Sequence, residues 1–260
     1  MRSLASLLLH GIRLGLATRM ADRFDFFASL LVMLGLELLP CLITVLLYGN
    51  GLAFPGWQLR EVILIQAVFL MAKGIASPLF GGMVWNTSEM IREGTFELLL
   101  LKPRHPLLLA VVKSFDPEDL GKLFGGLALS AWCLRGTGVP RPAQLAEFGL
   151  LFFVSLVLFG ASLLTMASVV MVWVGNARIF ELFDRIAELG QYPPVILPKR
   201  VRALALAPVP VLAFAVLPAS ALLGRATDGW LWAALSTFAL LALSLTLWNY
   251  LLRRFSSAGG

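Results

Sequence analysis

The feature that most constrains this chain is a series of long apolar runs, each close to the roughly 20 residues that cross a hydrocarbon core. Six stand out: Phe26–Tyr48, Val62–Trp85, Leu120–Leu134, Phe148–Val174, Ala203–Leu223 and Trp230–Leu252. The third is short unless it starts at Pro117. The fifth holds Pro208, Pro210 and Pro218, which predicts a bent or broken helix. Only 14% of the 260 residues are charged, against about 25% in soluble domains. Mean hydropathy is +0.86. So few charges cannot cover a water-facing surface of this size, and lipid is the natural solvent. A soluble enzyme, an extracellular disulfide scaffold and a disordered chain are excluded. The expected fold is all-α: a polytopic membrane protein with six transmembrane helices in a single domain over 1–260.

The net charge of +6 would suggest nucleic acid in a soluble protein. Here the cations flank apolar runs, so they describe topology instead, and no nucleic-acid partner is expected. With six spans both termini share a side. Segments on that side hold 15 cations, among them Arg2, Arg13, Arg92, Lys102, Arg104, Lys199, Arg200, Arg253 and Arg254. The other side holds 4: Arg60, Arg135, Arg141 and Arg225. The positive-inside rule therefore predicts cytoplasmic termini and cytoplasmic loops at 86–119 and 175–202. Residues 1–23 do not read as a cleaved signal. Ser3, Ser6, His10, Arg13 and Ala17 recur every three or four residues among leucines, which predicts an interfacial N-terminal helix. No internal repeat is evident, which weakens an inverted-repeat transporter.

The first long loop reads NTSEMIREGTFELLLLKPRHP over 86–106. Asn86 and Glu89 have capping-box spacing for a helix start. Gly94 can stop that helix in the left-handed conformation, and a second short helix, Phe96–Leu101, ends before Pro103. A short charged helix broken at glycine suits docking to a soluble partner, and it suits a solvated connector equally well. His105–Phe115 reads as a separate interfacial helix begun at Pro106. Asp116, Pro117, Glu118 and Asp119 form a helix start, with Lys122 spaced to pair with Glu118. Capping accounts for these acids more simply than a cation site. In the second loop, 178–190 form an amphipathic helix. Ile179, Leu182, Phe183 and Ile186 share one face, Arg178, Glu181, Arg185 and Glu188 the other. Glu181 and Arg185 are spaced for an ion pair, and Gly190 ends the helix. Pro198-Lys199-Arg200 leads into the fifth run.

Catalytic and metal-binding patterns are missing. His10 and His105 are the only histidines, and Cys41 and Cys133 sit singly in apolar runs. There is no phosphate-binding GxxxxGK[ST] and no HExxH or GxSxG. No catalytic or metal-ligating residues are assigned. Gly81-Gly82 and Gly125-Gly126 suit close helix packing. Glu37 and Lys73 lie inside runs, where an unpaired charge is expensive. They could pair with one another, Lys73 could snorkel, or both could line a transport path.

Gly56-Trp57, Glu61-Val62, residues 88–103 (SEMIREGTFELLLLKP), Ser114-Phe115-Asp116-Pro117 and Gln191-Tyr192-Pro193 together resemble one family. It is the membrane subunit of type-2 ATP-binding-cassette (ABC) exporters, and within it a bacterial permease group whose loop reads sE-x-IReGtfd-x-LLlkP. Glu97 stands where that pattern has Asp, which keeps the charge. The resemblance implies six spans, an interfacial N-terminal helix and a coupling helix in the loop at 86–104. It assigns ATPase coupling to Glu89, Arg92, Glu93, Gly94, Thr95, Phe96 and Glu97. It implies a separate ABC ATPase subunit carrying ATP and Mg, and a second permease, identical or different. It also implies a hydrophobic re-entrant element before the last span, for which Pro218–Trp230 is the candidate. The chain itself would be no enzyme and bind no cofactor, acting in export across the cell membrane. An ion-coupled secondary transporter using Glu37 and Lys73, or a non-transporting scaffold, are the alternatives the residues leave open.

Overall fold

The computed structural model describes residues 4–138, 140–172, 177–197 and 210–255. These residues are mostly helical, with no strand among them. Four helical stretches are long and apolar enough to cross a membrane: Arg23–Gly49, Leu59–Arg92, Pro142–Val170 and Trp230–Arg254. They correspond to the first, second, fourth and sixth predicted runs, and the count of six is not reached among the described residues.

Helix α1 (Leu4–Arg19) runs through most of the predicted interfacial segment. The first long stretch consists of α2 (Arg23–Glu37) and α3 (Leu39–Gly49), started by Asp22, whose side chain accepts from the Asp25 N–H. Pro40 interrupts it, because proline has no N–H to continue the ladder. At that break the Pro40 carbonyl accepts from Thr44 Oγ1 (2.9 Å) and Gln66 Nε2 (3.3 Å), while Gln66 also donates to Thr44 (2.8 Å). The kink is thereby tied to the next helix, α4 (Leu59–Ala76).

Almost every residue of α4 is buried, so it is the axis of the bundle rather than a lipid-facing rod. It passes through a π turn, Ser77–Gly81, into α5 (Gly82–Arg92). Pro78 within this turn is the kind of interruption that displaces a helical ladder, and its carbonyl accepts from the Asp116 N–H at 3.1 Å. The helix does not restart at Asn86, as capping-box spacing predicted. Asn86 lies inside α5 and donates to Ser114 Oγ at 3.3 Å, so a tertiary partner replaces the cap.

After α6 (Phe96–Leu100), α7 (Pro106–Lys113) follows as predicted, with His105 capping it. Gly11 and Gly15 bring α1 against α7 and the residues just after it: a Cβ on Gly11 would clash with the Val112 side chain, and one on Gly15 would strike the Phe115 ring. Asp116 accepts from the Glu118 N–H at 3.1 Å, capping the turn Pro117–Asp119 that starts α8 (Leu120–Thr137). Glycines bring α4 and α8 together: a Cβ on Gly126 would stand 2.7 Å from the Ala67 carbonyl, and one on Gly74 would strike the Leu123 backbone. The Lys122–Glu118 pair is not formed. Glu118 turns to Arg19 (3.0 Å) and Lys122 to Asp119 (2.5 Å), because α1 supplies the nearer cation. Burial, then the neighbouring Asp116, push the Glu118 carboxyl above the usual carboxylate range, against the pull of Arg19.

Helix α9 (Pro142–Val170) starts six residues before the predicted apolar run, where the Arg141 N–H donates to Gln144 Oε1 at 2.6 Å. The run's last residues, 173–174, lie outside the described set. The amphipathic helix α10 (Ala177–Glu188) is present, and Arg185 pairs with Glu188 (3.2 Å) rather than with Glu181. It gives way at Leu189 to a 3-10 turn that contains Gly190. Residues 198–209, with Lys199, Arg200, Arg202 and the start of the fifth run, also lie outside the described set. The rest of that run is a 3-10 turn, Val211–Ala213, and a seven-residue helix, α11 (Val216–Leu222). It is too short to span and every residue of it is buried. Phe214 packs its ring on Phe159 (4.4 Å), Phe69 (6.4 Å) and Phe183 (6.5 Å), and Ser155 donates to its carbonyl at 2.5 Å. The described part of the segment, Pro210–Leu222, therefore packs inside the bundle. The last helix, α12 (Trp230–Arg254), packs along α9.

Candidate functional site

Two groups of sequence-predicted residues are gathered into sites. The first lies at the far end of α5. The Gly94 N–H bonds the Ile91 carbonyl (3.2 Å) and the Thr95 N–H bonds the Met90 carbonyl (2.8 Å), with Gly94 at φ +69°. That is a Schellman ending, and glycine is present because the left-handed position carries a Cβ penalty. The chain then turns straight into α6. Phe96 and Leu99 are buried, and the Phe96 ring meets Phe255, just past α12, at 5.0 Å. The apolar side of the loop is therefore anchored to the bundle. Glu89, Arg92, Glu93 and Glu97 are exposed, and none has an ion-pair partner among the described residues. Thr95 is half-buried behind them. A cleft of about 650 Å³ opens alongside, lined by Asn86, Glu89, Glu93, Thr95, Lys102 and Lys113. Such a loop is a charged surface anchored from beneath. It offers a fixed register of charges on a rigid support, and the support continues through the π turn Ser77–Gly81 into α4.

The second group joins two buried lysines to three half-buried carboxylates. Lys73 Nζ lies 2.8 Å from Glu37 Oε1 and 3.4 Å from Asp184 Oδ1. Lys122 Nζ lies 3.4 Å from the same Glu37 oxygen and 2.5 Å from Asp119 Oδ1. Glu37 thus sits between two lysines, and each lysine has a second carboxylate of its own. The cluster joins α2, α4, α8 and α10. The sequence marked Glu37 and Lys73. It missed Lys122 as a member because Glu118 looked the better-spaced partner. It missed Asp184 because that residue falls between the two faces assigned to α10. No arrangement of His, Cys, Asp and Glu able to hold a metal occurs among the described residues.

At the opposite end, Arg225 grips Glu61 with two hydrogen bonds from Nη2 (2.8 and 2.7 Å) and one from Nε (3.1 Å), and stacks over Trp57 at 4.2 Å. This clamp fixes the start of α4, so the helix is held at its first turn, in the middle by the charge cluster, and at its end by the α6 anchor.

No curated protein and no solved structure matches the chain significantly. The sequence profile of the ABC-2 family transporter protein, however, matches residues 31–259, which include every helix from late α2 to α12 and both charged groups. With apolar helices of membrane-spanning length and a match over nearly the whole chain, the protein belongs to the ABC-2 transporter family and is an ABC-2 type permease of the membrane.

Proposed function

We propose that this permease is the membrane-spanning subunit of an ABC exporter, driven by a separate ATPase subunit that binds ATP and Mg. The observation that carries the reading is the helix Leu59–Arg92, which runs from the Arg225 clamp to the charged loop as one continuous body. Glu89, Arg92, Glu93 and Glu97 supply the docking charges. Gly94 and Thr95 set the turn, and Phe96 anchors it. When the ATPase dimer closes on ATP, it pushes this loop, and α4 transmits the displacement through the bundle. The spans then tilt between inward-open and outward-open states and substrate leaves the cytoplasm. Two permeases, identical or different, complete the path. The six-span arrangement is completed by α8, about 27 Å long at 1.5 Å per residue, and by the segment around α11. The 15-to-4 asymmetry of cations supports a cell-membrane location with the loop and both termini cytoplasmic. Glu37 and Lys73 act here as a joint that keeps α2, α8 and α10 moving with α4.

The test is the amount of ATPase subunit that stays with the tagged chain through gentle detergent purification. Arg92→Ala and Gly94→Pro should each lower it about tenfold, the effect of losing one strong interface contact, with the permease still inserted at wild-type level. Undiminished co-purification in both variants would refute docking through this loop.

A further inference from the structure

A cavity of about 330 Å³ lies where the π turn, α7, α9 and α12 meet. Phe80 and Met83 close its floor, and Val157, Gly160, Leu241 and Leu245 face it from the two long helices. The lining is apolar to within a trace. Gly160 matters to its shape: a Cβ there would stand 3.3 Å from the Phe80 ring, so a larger residue would grow into the cavity. Leu245 is exposed and Val157 half-exposed, so the cavity opens on the outer surface of two helices of membrane-spanning length. At roughly 30 Å³ per methylene-sized group it has room for about ten carbons.

Its surroundings decide what fills it. The Phe96–Phe255 contact brings the end of α12 beside the charged loop, so Arg253 shares that end of the bundle with Lys102, and both are exposed, whereas Arg254 lies on the far face of the helix, over the Tyr250 ring. From Leu245 to Arg253 along α12 is about 12 Å, and from Leu241 to Arg253 about 18 Å. These are the distances from a lipid phosphate to carbons some ten to fifteen bonds down its acyl chain. We infer that this cavity is a binding site for an anionic phospholipid, with one acyl chain in the cavity and the phosphate at Lys102 and Arg253.

The chain contributes fit rather than hydrophobic gain, because a tail leaves one apolar medium for another. Preference therefore comes from the head group. A basic residue near a charged membrane surface is worth about fivefold in binding, so the anionic lipid should exceed its zwitterionic counterpart by well over tenfold.

The experiment uses the full-length protein in vesicles carrying a trace of phospholipid with a photoactivatable group near carbon ten of one chain. The head group is phosphatidylglycerol in one series and phosphatidylcholine in the other, and labelled peptides are mapped by mass spectrometry. The expected result is labelling of segments 107–111, 156–164 and 241–245, at least tenfold stronger for phosphatidylglycerol. Leu245→Trp and, from the opposite wall, Val157→Phe should each remove most of that labelling while the lipid-exposed α2 residues near Leu31 label as before. Arg253→Gln with Lys102→Gln should erase the head-group preference, by lowering phosphatidylglycerol labelling to the level of phosphatidylcholine. Equal labelling by the two lipids overturns the anionic assignment. Labelling that neither filling variant alters means ordinary boundary lipid and overturns the site. Labelling of a second copy of the chain in place of these segments identifies the cavity as an interface and overturns it equally.

Discussion

Removing charges from the cluster around Glu37 should give costs that do not add. Breaking an isolated buried pair by deleting one partner costs about 3–5 kcal/mol, because the survivor is left uncompensated. Here Glu37, the least exposed of the three carboxylates, keeps a partner in either single variant. After Lys73→Met, Glu37 still faces Lys122 at 3.4 Å, and Asp184, with 36% of its side chain exposed, can turn to water. After Lys122→Met, Glu37 keeps Lys73 at 2.8 Å. Each single change should therefore cost about 1–2 kcal/mol, below that range. The double change Lys73→Met with Lys122→Met strips Glu37 of both cations. It should cost about 4–6 kcal/mol, at least 1 kcal/mol more than the sum of the singles. Adding Glu37→Gln to the double variant removes the stranded charge and should recover most of the excess. The assay is loss of helicity on titrating SDS into detergent-solubilised protein, for the singles, the double and the triple. An additive double, or a triple less stable than the double, would refute the view that Glu37 is held jointly by two lysines.

Glycine changes separate close approach from helix propensity. Gly74→Ala should destabilise by about 2 kcal/mol or more, since its Cβ meets the Leu123 backbone, whereas Gly35→Ala, with nothing within 4 Å, should stabilise by up to about 1 kcal/mol. Both are read by the same SDS titration. Gly94→Ala should cost about 1–2 kcal/mol through its left-handed φ, and Gly94→Asn should cost less; thermal unfolding in detergent orders the two. The raised Glu118 carboxyl means the fold favours the protonated form. Its contribution is present below the ordinary carboxylate range and is lost as pH rises through the raised value. Arg19→Gln removes the opposing cation and should steepen that loss, seen as a larger fall in melting temperature between about pH 4 and 6.

Local signals were the legible ones. The Gly94 stop, the short helix from Phe96, the Asp116 cap and the amphipathic 178–190 helix each depend on residues within a turn or two. The paired glycines were readable because small residues at helical spacing have few other uses in an apolar run. What depended on distant partners was not readable. Asn86 looks like a cap until Ser114, 28 residues on, takes its donor. The break at Pro40 becomes a joint only through Gln66. The segment from Pro210 to Leu222 reads as part of a lipid-facing run, but Phe214, packed on three rings of the bundle, makes it core. Half the charge cluster lies on helices whose contacts no periodicity reports.

The central claim is that the exposed loop after α5 docks an ATPase. Its most direct test is gentle purification of the tagged wild-type chain from its native membrane, with mass spectrometry of what co-elutes. The account predicts a stoichiometric ABC ATPase subunit, retained when Glu37→Gln is introduced and lost with Arg92→Ala. A chain that elutes without an ATPase, yet moves solute in liposomes down an ion gradient, would contradict it.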